Sequence, residues 1–388
     1  MSKEKTNAWG RETMSVHGGH NYGGETGAVI PPIYMTSTFE SGNAEGFDYT
    51  RSGNPNFRNL EQVLANLEGA KRASVFASGV SAITAITSTL SSGAKIVAEE
   101  NIYGCTYRLF EQVFAKFGIE VEYLDLTLQK NIDLINRIEP QLVWIESPTN
   151  PLLKIINIKS VAEVAHEAGA SLVVDNTFAS SCLQQPLELG ADLSLLSTTK
   201  YSNGHSDTLG GVVCSASDEW GDKMVFAQKA LGLQPSPFGC WLIQRGLKTQ
   251  ELRVKRHCSN ALAVATFFVS EFSDAVVRYP FLKSHPQYDI AKKQMLGGSG
   301  IVTVDLGMTL ENTRDFLQGL KLFTMAESLG GIESLSCHPA SMTHASVPKD
   351  VREGVGITDS LFRLSVGIEN EEDLISDIKS SLAALDLK

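Results

Sequence analysis

From about residue 57 to residue 200, short runs of aliphatic and β-branched residues alternate with stretches of helical period. Ala73–Phe76, Lys95–Ala98, Ile119–Leu124, Leu142–Ile145, Leu172–Val174 and Leu193–Leu196 read as strands. Leu60, Val63, Leu64 and Leu67 share a helix face, as do Ile83, Ile86 and Leu90 in a helix that begins near Gly79. Further helices are predicted near 106–117 and over 158–168. Strands that alternate with helices in this way pair mainly in parallel and need helical cover on both faces. In such a sheet, chemistry gathers beyond the C-terminal strand ends. Glu146, Asp175 and the run Ser197–Lys200 all fall there.

The 388 residues, 43% apolar and 20% charged, suffice for two domains. After about 250 the texture changes. Helical patterns over 251–272, 310–321 and 371–386 bracket strand-like Gly300–Val304 and Phe362–Val366, which predicts a smaller α/β domain. Residues 1–55 are rich in Gly, Thr, Ser and Asn, and Pro31 and Pro32 stiffen Val29–Tyr34. A long irregular segment of this kind is expected to be functional, as an arm reaching across a subunit interface. The expected division is an arm over 1–55, a main domain over 56–250 and a C-terminal domain over 251–388.

A net charge of −11, without a basic cluster, opposes binding to nucleic acid or to anionic membranes. The N-terminus has no apolar core of a signal peptide, and no run approaches the roughly 18 apolar residues of a spanning helix. A cytoplasmic protein is expected. Cys105, Cys182, Cys214, Cys240, Cys258 and Cys337 are scattered, with no CxxC and no zinc spacing, so reduced thiols and no metal site are expected.

Lys200 lies in Ser197-Thr198-Thr199-Lys200-Tyr201, downstream of a strand that ends in Asp175. A lysine flanked by hydroxyls, with an aspartate at an earlier strand end, suits pyridoxal 5′-phosphate. The lysine forms a Schiff base with the aldehyde, the hydroxyls meet the phosphate, and the aspartate keeps the pyridine nitrogen protonated. The helix opening at Ala77-Ser78-Gly79-Val80 offers backbone N–H groups to a phosphate. Arg51, beside Tyr49, suits bidentate phosphate binding or is an exposed loop arginine. Tyr103, just past a strand end, fits stacking on a ring or packing in the core. Arg363, in a strand of the second domain, fits either a substrate carboxylate or the surface.

Taken together, YTRSGNP (49–55), ASGVSA (77–82), YGCTYRLF (103–110), ESPTNPLL (146–153), VVDNTF (173–178), STTKYSNGHSD (197–207), AESLGGIESL (326–335), PASMTHASVP (339–348) and FRLSVGIE (362–369) resemble the cystathionine γ-synthase/γ-lyase branch of the Cys/Met-metabolism PLP enzymes, from about Thr26 to Leu385. The resemblance implies an aspartate-aminotransferase-like α/β fold (fold type I), with a mainly parallel seven-stranded sheet flanked by helices plus a smaller C-terminal α/β domain. It implies that Lys200 carries the cofactor and that Asp175 pairs with the ring nitrogen. Gly79, Val80, Thr177, Ser197 and Thr199 would hold the cofactor, and Tyr103 would stack on it and assist proton transfer. Tyr49 and Arg51 would reach the phosphate of the neighbouring subunit's cofactor, within a homotetramer. Asn150, Ser328 and Arg363 would bind the substrate α-carboxylate. Asp48 and Glu327 would meet the distal amino group of cystathionine, and Arg108 its distal carboxylate.

The expected activity is γ-replacement of an activated homoserine ester by cysteine, giving cystathionine. The alternative is the γ-lyase, which releases cysteine, 2-oxobutanoate and ammonia. The segments 147–153 and 184–187 resemble the γ-synthases. Cys105, where those enzymes usually have glycine, resembles methionine γ-lyases, whereas Glu327 opposes that reading and the β-lyases. Gly239 replaces an acidic residue common in the family. A silent scaffold would not need the Lys200, Asp175, Tyr103 and Arg363 set, and a nucleotide-binding reading lacks the G-x-G-x-x-G that it requires.

Overall fold

The structure is a computed structural model that describes residues 9–19, 26–343, 345 and 349–385. Its larger sheet contains β1 (Arg72–Phe76), β2 (Lys95–Glu99), β3 (Glu120–Leu124), β4 (Leu142–Glu146), β5 (Ser171–Asp175), β6 (Leu193–Leu196) and β7 (Gly211–Ser215), in the order β1-β7-β6-β5-β4-β2-β3. The run from β3 to β6 is parallel, while β7 is antiparallel to both neighbours, β1 and β6. Successive side chains of each strand leave by opposite faces, so one strand feeds two cores. Ile96, Trp144, Val173 and Leu195 pack with Ile83, Ile86 and Phe110 on one face. Val97, Val143, Ile145 and Val174 pack with Val161 and Ala165 on the other. This two-sided burial is why the strands read as continuous apolar runs.

The helices keep their expected places with shifted ends. The helix from Gly79 stops at Thr87, so Leu90 falls outside it. The pattern near 106–117 divides into a helix over Gly104–Gln112 and a 3-10 turn over Phe114–Phe117, closed by Gly118 at φ +78°. The N-terminal segment, expected to be irregular, contains a short helix, Arg11–His17. β7 and the helices Asp218–Leu231 and Pro237–Leu247 had no counterpart in the sequence reading.

A second sheet follows in the C-terminal part: β8 (Val276–Arg278), β9 (Ile301–Asp305), β10 (Thr324–Met325), β11 (Leu335–Cys337) and β12 (Leu361–Ser365), ordered β10-β11-β12-β9-β8. Val302, Val304, Phe362 and Leu364 pack with Phe268 of the long helix Gln250–Glu271 and with Ile378 of the last helix, Glu371–Ala383. β12 brings Arg363 toward the C-terminal edge of the first sheet, where its side chain reaches Asn150. The site therefore lies where the two sheets approach each other.

Candidate active site

A cavity of about 190 Å³ opens at the C-terminal ends of β4, β5 and β6. Its walls bring together Gly79, Val80, Tyr103, Asn150, Asp175, Thr177, Ser197, Thr199, Lys200, Glu327 and Arg363, eleven of the sequence-predicted residues. Five others lie outside it. Asp48, Tyr49 and Arg51 are exposed on the N-terminal segment, where Arg51 lies 5.5 Å over the Tyr49 ring. Arg108 is exposed, with Nη1 at 3.7 Å from Cys105 Sγ. Ser328 lies behind the wall but is bonded directly to Lys200.

Lys200 closes the turn that follows β6, and its N–H donates to the Ser197 carbonyl at 3.1 Å. Its Nζ donates to Ser328 Oγ at 2.9 Å. Burial, and then the charge of Arg363, draw its pKa down to about 8. No carboxylate among the described residues pairs with it. A lysine in this setting holds its proton loosely and its amine is available as nucleophile and base.

Asp175 ends β5, and burial pushes its pKa up to about 6 despite the Thr177 N–H that donates to Oδ1 at 3.0 Å. In register beside it, Glu146 ends β4. Burial and the Asp175 charge raise the Glu146 pKa well above the usual carboxylate range. Glu146 Oε1 accepts from the Tyr103 N–H at 2.6 Å and so fixes the start of the Gly104–Gln112 helix. The sequence places Glu146 only at a strand end; its part beside Asp175 comes from the pairing of β4 with β5. Tyr103 is 37% exposed, yet desolvation, then Cys105 beside its hydroxyl, raise its pKa.

Arg363 is 2% exposed. Its Nη1 donates to Asn150 Oδ1 at 2.9 Å and its Nη2 to the Ser328 carbonyl at 3.2 Å, while Nε has no partner among the described residues. It is buried and has no carboxylate partner among the described residues, so a bound carboxylate would supply the countercharge.

The residues present fit pyridoxal phosphate on two observations. Asp175 is desolvated without a cation, and a protonated ring nitrogen would provide one. Gly79 opens a helix whose first N–H groups have no intrahelical acceptor, and a Cβ there would come within 3.0 Å of Ser197 Cβ and fill the gap between them. The hydroxyl of Thr177 accepts from the Ser197 N–H at 2.9 Å, and that of Thr199 is engaged with Gly210, so Ser197 Oγ is the hydroxyl turned toward Gly79.

A mainly parallel sheet carrying a depressed lysine, a strand-end aspartate and a helix-start anion seat at one edge defines a fold type I pyridoxal-phosphate enzyme. Comparison with known proteins narrows the class. The chain belongs to the Cys/Met metabolism PLP-dependent enzyme family, whose model it matches over residues 12–383. It is 47% identical over 361 residues to a cystathionine gamma-lyase of Bos taurus, covering 92% of this chain and 89% of that one. It is 44% identical over 375 residues to a cystathionine beta-lyase of Lactococcus lactis, covering 96% and 98%. The structure of cystathionine gamma synthase from Xanthomonas oryzae in complex with aminoacrylate and cysteine superposes with a TM-score of 0.93 at 41% identity, covering 97% of this chain and 98% of that one. These relatives act at different bonds or in different directions, so the family and cofactor are fixed while the particular reaction is a separate question.

Proposed function

We propose that the chain acts at the γ-carbon–sulfur bond of cystathionine, taking up one water and releasing cysteine, 2-oxobutanoate and ammonia. The observation that carries the reading is the Lys200–Ser328–Arg363 arrangement. It sets a loosely protonated amine beside a carboxylate seat, with the acidic Glu327 adjoining Ser328. The lyase direction is put ahead of the synthase expected from the sequence because the γ-lyases among the curated relatives reach 45–47% identity; among the solved structures a γ-synthase at 41% and γ-lyases at 36% and 40% support both directions.

Pyridoxal phosphate, when bound, supplies the electron-withdrawing ring that lowers the barrier to Cα–H cleavage. Lys200 would carry it, and its amine, lining the cavity, is placed to take and return a proton at the substrate's Cα. Asp175 would keep the ring nitrogen protonated. The Gly79 and Val80 N–H groups, Ser197, Thr199 and Thr177 hold the cofactor. Arg363 and Asn150 seat the substrate α-carboxylate, with Ser328 alongside. Tyr103, in the cavity wall, would cover the ring and assist proton transfer. Glu327 and Asp48 meet the distal amino group and Arg108 the distal carboxylate. Tyr49 and Arg51 serve a neighbouring subunit's site, in a cytoplasmic homotetramer. All six cysteines are free thiols, in keeping with that compartment.

The second reading is the γ-synthase, favoured by the Xanthomonas superposition and by the 147–153 and 184–187 segments. Steady-state assays decide between them. The lyase reading expects 2-oxobutanoate release from cystathionine to exceed cystathionine formation from homoserine esters plus cysteine in kcat/KM; the reverse order makes the chain a synthase.

A further inference from the structure

Gln184 lines no part of the cavity, yet it ties together three segments behind it. It is 1% exposed. Its Nε2 donates to the Ser147 carbonyl at 2.6 Å and to Asn176 Oδ1 at 2.9 Å. Its Oε1 accepts from Gln294 Nε2 at 3.1 Å, and Gln294 Nε2 also donates to the Ile156 carbonyl at 2.9 Å. Both amide protons and the amide oxygen are thus committed, which fixes the side chain in one orientation. The first segment leads from β4 to Asn150, the second follows Asp175, and the third is the helix Tyr288–Gln294 of the C-terminal part.

The three tethers are not equivalent. Asn176 keeps a bond from its Nδ2 to the Gln184 backbone carbonyl at 3.0 Å whatever side chain stands at 184. The Ser147 carbonyl receives no other side-chain donor among the described residues. Three residues on, Asn150 Oδ1 holds Arg363 Nη1 at 2.9 Å. We propose that Gln184 is a positioning residue for the carboxylate seat: it anchors Ser147, and through the 147–150 segment sets the Asn150 amide that orients the Arg363 guanidinium. The inference rests on Arg363 as the seat of the α-carboxylate. It follows that loss of the Gln184 amide harms recognition of the carboxylate more than attachment of the cofactor.

The test uses the holoenzyme and two small amines, glycine and methylamine, which differ by the carboxylate, each titrated spectroscopically. Wild type should prefer glycine. In Gln184→Met, which keeps the length and volume but no amide, that preference should fall at least tenfold. KM for substrate should rise at least tenfold while kcat and cofactor affinity stay within threefold. An unchanged glycine preference overturns the inference, as does a loss in which cofactor affinity and kcat fall as far as KM rises. Should Gln184→Met fail to fold, Gln184→Glu decides. Its carboxyl can donate to the Ser147 carbonyl only when protonated, so its glycine preference relative to wild type should recover as pH falls from 8.5 to 6; a ratio independent of pH overturns the inference. A wild-type enzyme that binds both amines equally removes the Arg363 reading itself and this one with it.

Discussion

Burial and the Arg363 guanidinium hold the Lys200 pKa at about 8, below its ordinary 10.5. The unfolded chain keeps this proton up to its ordinary pKa, while the folded apoenzyme loses it near 8. Between those values the unfolded state binds more protons, so this group's contribution to stability rises with pH and its full cost is present below 8. The same titration controls reactivity, because only the neutral amine attacks an aldehyde. The rate at which apoenzyme recombines with pyridoxal phosphate, followed by absorbance, should climb as pH rises through about 8 and then level off. A flat profile would remove the depressed lysine. Lys200→Ala should lower turnover by at least about a thousandfold, measured as 2-oxobutanoate release. Arg363→Lys should raise KM by roughly ten- to a hundredfold, since an ammonium cannot replace the planar fork held by Asn150 and Ser328. Asp175 was legible because it closes an apolar run at a strand end, and Lys200 because three hydroxyl residues separate it from the next such run. The Lys200–Ser328 bond spans 128 positions, which no local pattern reports. The burial of Arg363 was equally hidden, because a lone arginine in a strand looks the same on a surface.

Among the elements, the helix Gly79–Thr87 joins fold to chemistry most directly. Ser78 caps it by accepting from the Ser81 N–H at 3.1 Å. Ser78→Ala should cost about 1 kcal/mol and lower the melting temperature of the apoenzyme. Gly79→Ala should act differently, placing a methyl 3.0 Å from Ser197 Cβ, and should weaken cofactor affinity measured by equilibrium titration. Unchanged affinity would show that this cradle is not the phosphate seat. Strands β2, β4, β5 and β6 were readable because burial on both faces leaves a continuous apolar signature, whereas the edge strand β3 showed itself by alternation of Glu120 and Glu122 with Val121 and Tyr123. β7 was not: it follows the polar loop after Lys200 and runs antiparallel between β1 and β6, a place fixed by tertiary pairing rather than by alternation with helices. Helices Asp218–Leu231 and Pro237–Leu247 carry weaker patterns, the second with glycines at 239 and 246 and a proline at its first position. Gly246 is small for a reason outside its own helix, since a Cβ there would lie 2.2 Å from the Asn203 carbonyl oxygen.

For the whole molecule, the site is built where the end of one sheet meets β12 of the other, while Tyr49 and Arg51 stay on the surface of their own chain. If Arg51 serves a neighbouring subunit, two defective chains should repair each other. Lys200→Ala and Arg51→Ala subunits, co-refolded at limiting cofactor, should form mixed dimers with one intact site, recovering activity at about a quarter of all sites. Activity no greater than the sum of the separate variants would return Arg51 to the role of a surface arginine. All of this depends on a covalent bond between Lys200 and the cofactor. Borohydride reduction of the reconstituted enzyme, followed by proteolysis and mass spectrometry, should place the pyridoxyl group on the peptide containing Lys200 and on no other. A tag on a different lysine, or none on fully reconstituted enzyme, would contradict the account.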